Sequence, residues 1–210
     1  MAVEVEGMVK RVRILRDFDP ANPRKEWDNV GTMYCWHCRY NLGDEQPRFG
    51  PEEFGWRLMY EHHPNIPDDI SQEHIQRFLD KHYVILPLYL YDHGGITMNC
   101  GGFSCPWDSG QVGYIFVSMK RARREWTGTD EEIRQYAENC LRSEVEVYDN
   151  YLTGEVYGYV IEHRDEDADP EDESSWDEVD SCWGFYGSDW KTNGIKEHLS
   201  PHEVDCVVEE

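Results

Sequence analysis

Asp92 and His93 stand before two glycines. Cys100, Cys105 and Asp108 follow within YDHGGITMNCGGFSCPWDSGQVGYIFV, residues 91–117. A carboxylate beside an imidazole can hold it as a general base. A thiol within reach would then serve as a nucleophile. Asp108, Asp149 and Asp180 add carboxylates suited to a metal or to acid–base work. The candidate catalytic set is therefore Asp92, His93, Cys105 and Asp108, with Trp107 as an adjacent ring for binding. No nucleophile elbow or metal box matches. The same residues also suit turn chemistry, in which Asp caps, Gly supplies positive φ and His packs over a sheet. That second reading is the favoured one.

Cys35 and Cys38, in CWHC, have the spacing that lets two thiolates grip one zinc. Cys100 and Cys105 could complete a tetrahedral site, although their spacing matches no standard knuckle. A thioredoxin-like role needs a helix after the motif, and RYNLGDEQP is a poor helix. The sequence calls for no cofactor, and its default metal assignment is none.

The elements that must position these residues follow from periodicity. MVKRVRILRDF alternates apolar and basic residues and reads as a strand over 8–18. SQEHIQRFLDKH reads as a helix capped by Ser71. YVILPLYLYDH, 83–92, is apolar nearly throughout and reads as a central strand, although Pro87 argues for a bulge or an edge position. QVGYIFVS, 112–118, is its expected antiparallel partner. Thr129 and Glu132 form a capping box before a long amphipathic helix. Strands are expected again at 153–162 and 181–187. The fold class is α+β: a mostly antiparallel sheet of about five strands with helices on one face. A single domain over 1–210 is expected, with an acidic loop insertion at 164–180.

Composition narrows the function. The formal charge is −23, from 43 acidic and 20 basic residues. Such a field repels phosphate backbones and speeds encounter with basic partners. Ten acidic residues lie between Asp165 and Asp180, with no basic residue among them. Asp165, Glu166, Asp167, Asp169, Glu171, Asp172, Glu173, Asp177 and Glu178, with Trp107, form the candidate binding set. KRARRE, 120–125, is the one basic cluster and is expected at a solvated helix end or as a charge partner of the acidic loop. No apolar run reaches membrane length, no leader is legible, and seven cysteines fit no even disulfide framework. A cytoplasmic protein of the host cell, with reduced thiols, is expected.

The blocks GITMNCGGFSCPWDSGQVGYIFVS, RKEWDNVGTM, RYNLGDE, YDNYLTGEVYGYVIE and DSCWGFYG resemble an uncharacterised family of phage and mobile-element proteins. The resemblance spans about residues 12–187. It implies no activity and no catalytic residue. It does imply an accessory protein that acts by protein–protein interaction on the basic surface of a host protein. An acidic nucleic-acid mimic inhibiting a host-defence enzyme is one form of that role. The alternatives are an enzyme or small-ligand binder centred on Asp92–Gly110, and a structural zinc protein.

Overall fold

The computed structural model describes residues 7–67 and 69–208. In chain order, β1 (Met8–Arg16) leads to α1 (Pro23–Glu26), β2 (Thr32–Cys35), α2 (Phe54–His62) and α3 (Gln72–His82). Then come β3 (Tyr83–Asp92), β4 (Ile96–Asn99), β5 (Ser109–Ser118), α4 (Met119–Glu125) and α5 (Asp130–Thr153). β6 (Val156–Asp165), β7 (Asp177–Tyr186), α6 (Ile195–His198), α7 (Pro201–Val204) and β8 (Val207–Val208) follow.

The fold is α+β and mostly antiparallel. In place of one five-stranded sheet there are two four-stranded ones, ordered β7-β6-β1-β8 and β2-β5-β3-β4. Where the sequence suggested one domain, the chain divides into two compact units. The first comprises residues up to 21 and from 153 onward; the second comprises 22–152. The reason lies in pairing. β1 aligns with β6, so that Val12 faces Ile161 across the intervening unit of chain. β8 takes the other edge of β1 at Val12 and Arg13, so β1 pairs within the first unit and not with the sheet that β2 to β5 build locally.

In the second unit, β3 and β5 pair antiparallel as their apolar patterns imply, with a register shift between Leu88 and Tyr89. Alternate residues of β3 face opposite ways. Leu86, Leu88 and Leu90 pack with Ile115 and Met98 against Ile133, Ala137, Leu141, Val145 and Tyr148 of α5. On the other face Tyr83 and Phe116 meet Phe54 and Leu58 of α2 and Ile75, Phe78 and Leu79 of α3. Helices thus cover both faces of this sheet, not one. Each such large side chain, fully buried, contributes about 1.5–3 kcal/mol. Gly55 lets α2 lie close on α3, because a Cβ there would meet Ile75 at 2.9 Å and Leu79 at 3.2 Å.

In the first unit, Val12, Tyr159 and Ile161 form one apolar face, capped by Ile195 and Leu199. The opposite face carries charged pairs beside the buried Val160. Arg11 Nε donates to Glu162 Oε2 at 2.6 Å, and its two Nη atoms donate to the Glu173 carboxylate. The expected acidic insertion is therefore shorter than its sequence. β6 runs to Asp165 and β7 starts at Asp177, leaving a connection of residues 166–176. That connection is anchored to β1, with the Trp176 ring 4.1 Å from the Arg11 guanidinium.

Candidate functional site

The segment between β3 and β5 is largely built structure. β4 adds to the end of β3, pairing Tyr89–Asp92 with Asn99–Ile96. Asp149 of α5 pins β4 by accepting from Thr97 Oγ1 at 2.8 Å and Met98 N at 2.7 Å. Asn99 Oδ1 accepts from the N–H groups of Gly101 and Gly102, closing the turn that follows. Asp149 thus supports a strand. Asp180 lies exposed on β7, in the other unit.

Asp92, His93, Cys105, Trp107 and Asp108 do come together. Asp92 N donates to the Asp108 carbonyl at 2.8 Å. The Asp108 carboxylate lies 3.5 Å from His93 Nδ1 and accepts from Cys105 Sγ at 3.6 Å. Arg39 Nη2 holds Asp92 Oδ2, and the Tyr40 hydroxyl donates to Asp92 Oδ1 at 3.3 Å. A cleft of about 290 Å³ opens here, lined in part by His37, Arg39, Asp92, Trp107 and Asp108. Trp107 is 91% exposed.

The order of groups decides the chemistry. Nucleophilic catalysis needs the imidazole between thiol and carboxylate, so that it takes the thiol proton. Here the carboxylate stands between thiol and imidazole, and both point at the same oxygen. Asp92, the other carboxylate, is bound by Arg39 and does not orient His93. The arrangement suits a small polar ligand resting against Trp107 better than it suits acyl transfer.

The four cysteines of the zinc hypothesis do not assemble. Cys35 is fully buried in the α5-facing core, where burial and the Asp44 charge push its thiol up to about 12. Cys38 is exposed, and Cys100 packs at the core margin, its thiol raised by burial. Cys105 turns to Asp108. His37 Nδ1 accepts from the N–H groups of Arg39 and Tyr40, closing a turn. Among the described residues, no group of three or more His, Cys, Asp or Glu is placed to hold a metal ion.

The acidic residues behave differently. All ten between Asp165 and Asp180 are exposed, along the connection and the first half of the edge strand β7. Glu173 pairs with Arg11 and Arg13. Asp172 caps the turn at Ser174, which holds its carboxyl below the usual range. Glu178 accepts from Ser181 Oγ. Glu173 is the one of the ten in an ion pair with a described residue; the basic cluster on α4 serves other partners, Arg123 pairing with Asp130 and Arg121 with Asp28. Arg11 and Arg13, two of the basic residues that alternate along β1, are the cations that hold the hairpin.

Comparison with protein-family models, with curated proteins and with solved structures returns no match. Among the described residues, no helix is long and apolar enough to cross a membrane.

Proposed function

We propose that the protein acts by binding a basic protein surface through the β6–β7 hairpin. The observation that carries this reading is the uncompensated carboxylate row. Nine of the ten acidic side chains are exposed on one hairpin without a cationic partner among the described residues. Fixed charge on an anchored hairpin loses less entropy on binding than the same charge on a free chain. It also raises the association rate with cationic surfaces. The role this suits is a phage or mobile-element accessory protein in the host cytoplasm that occupies the nucleic-acid groove of a defence enzyme. The chemical requirement is a partner face rich in Arg and Lys, where carboxylates stand in for phosphates.

The test is capture from host lysate at low and high salt. The bait is the full chain, beside a variant with Asp165, Glu166, Asp167, Asp169, Glu171, Asp177 and Glu178 changed to their amides. The expected result is salt-sensitive capture of a nucleic-acid enzyme, displaced by added DNA and lost in the variant. Equal capture by the variant, or no displacement by DNA, would overturn the reading.

A second reading, a small polar ligand in the cleft at Trp107, is favoured by the convergence of Arg39, Asp92 and Asp108 around an exposed indole. Quenching of Trp107 fluorescence by a ligand screen, absent in Trp107→Phe, would support it. A screen without such quenching would remove it.

A further inference from the structure

The second unit contains a groove that neither reading uses. A cavity of about 710 Å³ runs along β3 between α3 and α5. Its floor includes Phe54, Ile75, Leu79, Tyr83, Ile85 and Tyr114.

The floor is a strand edge. β5 occupies one side of β3, and β4 pairs on the other side only from Tyr89 onward. Pro87 stands opposite Tyr114 of β5 but has no N–H, so this cannot be a hydrogen-bonded pair. Its carbonyl therefore faces away from β5. By the two-residue period, so do the backbone groups of Ile85 and Tyr83. Tyr83 bears this out, because its carbonyl accepts from Arg134 Nη1 of α5 at 2.9 Å. Its N–H is taken by Leu79 O. Among the described residues, the Ile85 N–H, the Ile85 carbonyl and the Pro87 carbonyl are left on the open edge.

The groove is also acidic. Glu52, Asp80, Glu131 and Glu138 line it. Its Arg134 is committed to the carbonyls of Asp80, Lys81 and Tyr83. Among the described residues Glu138 pairs only with Arg142, one turn along the same exposed helix surface, where solvent screens the contact.

We propose that this groove takes an extended basic peptide segment of a partner protein as an added strand on β3 at Ile85. The docked strand has one residue opposite Ile85. That side chain points as Ile85 does, toward Phe54, Ile75 and Leu79, and is apolar. Its two neighbours point toward α5 and are Lys or Arg, facing Glu131 and Glu138. Three main-chain hydrogen bonds form, to the Ile85 N–H and the two carbonyls. Pro87 keeps the added strand short and prevents open-ended sheet growth. A second copy of this chain is a poor occupant, since pairing two such edges would bring like acidic rims together. The inference stands on the groove alone and does not depend on the hairpin.

The test uses a blocked pentapeptide of alternating lysine and valine with the full chain. Binding is expected, weakened by salt, with slowed hydrogen exchange at the Ile85 amide. N-methylation of the valines should weaken it by at least ~10-fold through lost main-chain bonds. The double variant Glu131→Gln, Glu138→Gln should weaken binding and flatten its salt dependence. The hairpin amide variant should bind as the wild type does. No binding, binding indifferent to N-methylation, unchanged exchange at Ile85, or loss in the hairpin variant with retention in the groove variant would each overturn the proposal.

Discussion

Arg24 and Asp44 face each other across two parallel hydrogen bonds, Nε to Oδ1 at 2.7 Å and Nη2 to Oδ2 at 2.8 Å. The Arg24 side chain is fully buried, and its Nη1 also donates to Glu144 of α5 at 2.7 Å. Glu144 in turn accepts from the N–H groups of Val30 and Gly31, and Asp44 from Met33 N. A Cβ on Gly31 would meet Glu144 Oε2 at 2.9 Å and Leu141 at 2.4 Å, so only glycine permits this approach. One guanidinium thus ties α1, β2 and α5 together. Arg24→Met should destabilise the second unit by about 3–5 kcal/mol, because two carboxylates lose their buried cation. Arg24→Lys should fall between, since a point charge cannot fill the two-bond geometry. Hydrogen exchange at Met33 N–H, whose acceptor is Asp44, reads this unit directly. Wild-type protection in Arg24→Met would contradict the account.

Thiol reactivity offers a separate check. Cys35 is fully buried, with its thiol pushed up to about 12 by burial and the Asp44 charge. Burial and Glu144 push Cys140 up to about 11. Little thiolate is present on either near pH 8. Cys38, exposed beyond the end of β2, should be alkylated first in the native protein. Cys35 should react only after unfolding. Peptide mapping after timed alkylation reads the order, and early labelling of Cys35 would refute the packing described. Added zinc should leave the rate at Cys38 unchanged, since no ligand set surrounds it; strong protection by zinc would restore the metal hypothesis.

Much of the secondary structure was legible because it rests on local chemistry. Thr129 and Glu132 make the reciprocal capping bonds their spacing implied. Ser71 caps α3 through His74 N. Pro87 was legible as a mark of edge or bulge, and the structure has both, an open edge at its position and a register shift just beyond it. The two-sheet arrangement was not legible, because β1 and β6 meet only through tertiary pairing. α2 was hidden by its surrounding Gly and Pro, and Gly55 is now explained by close helix contact. The grouping of Asp92, His93, Cys105 and Asp108 could be inferred from proximity in sequence. The order of thiol, carboxylate and imidazole could not, since it depends on side-chain direction. Arg24 and Asp44 lie in the blocks RKEWDNVGTM and RYNLGDE, and their role proves structural. The groove along β3 escaped notice because it arises from a missing neighbour, which no local pattern records.

The hairpin anchor predicts a local effect. Trp176 lies against Arg11 and Arg164, with ring-to-guanidinium distances of 4.1 and 5.1 Å. Such contacts are worth about 1 kcal/mol, so Trp176→Ala should speed proteolytic cleavage within 166–176 by roughly fivefold. Global unfolding should change little. The same variant should weaken capture of a basic partner, because carboxylates on a loosened hairpin lose their fixed spacing. Unchanged cleavage would show that the connection does not depend on Trp176.

Glu203 sets an acid limit on the first unit. Burial pushes its carboxyl up, but the Ser200 hydroxyl and N–H and the Lys10 ammonium outweigh this and hold it at about 2. Its side chain bonds Ser200 N, Ser200 Oγ and Lys10 Nζ at 2.9, 2.7 and 3.0 Å. A folded pKa below the unfolded value of 4.5 stabilises the protein fully above that value. The contribution is lost as pH falls from about 4.5 toward 2. Between pH 5 and pH 3 the wild type should therefore lose about 1–2 kcal/mol of stability that Glu203→Gln does not lose. His163, lowered by burial and by Lys10, also destabilises the fold on acidification. Its loss begins near the unfolded imidazole value of 6.5, and the Glu203 charge opposes it by raising the imidazole, so the two proteins are compared in a His163→Gln background. Denaturant midpoints of the two proteins across this range measure the difference. Parallel curves would show that the Lys10–Glu203–Ser200 contact contributes nothing to folding.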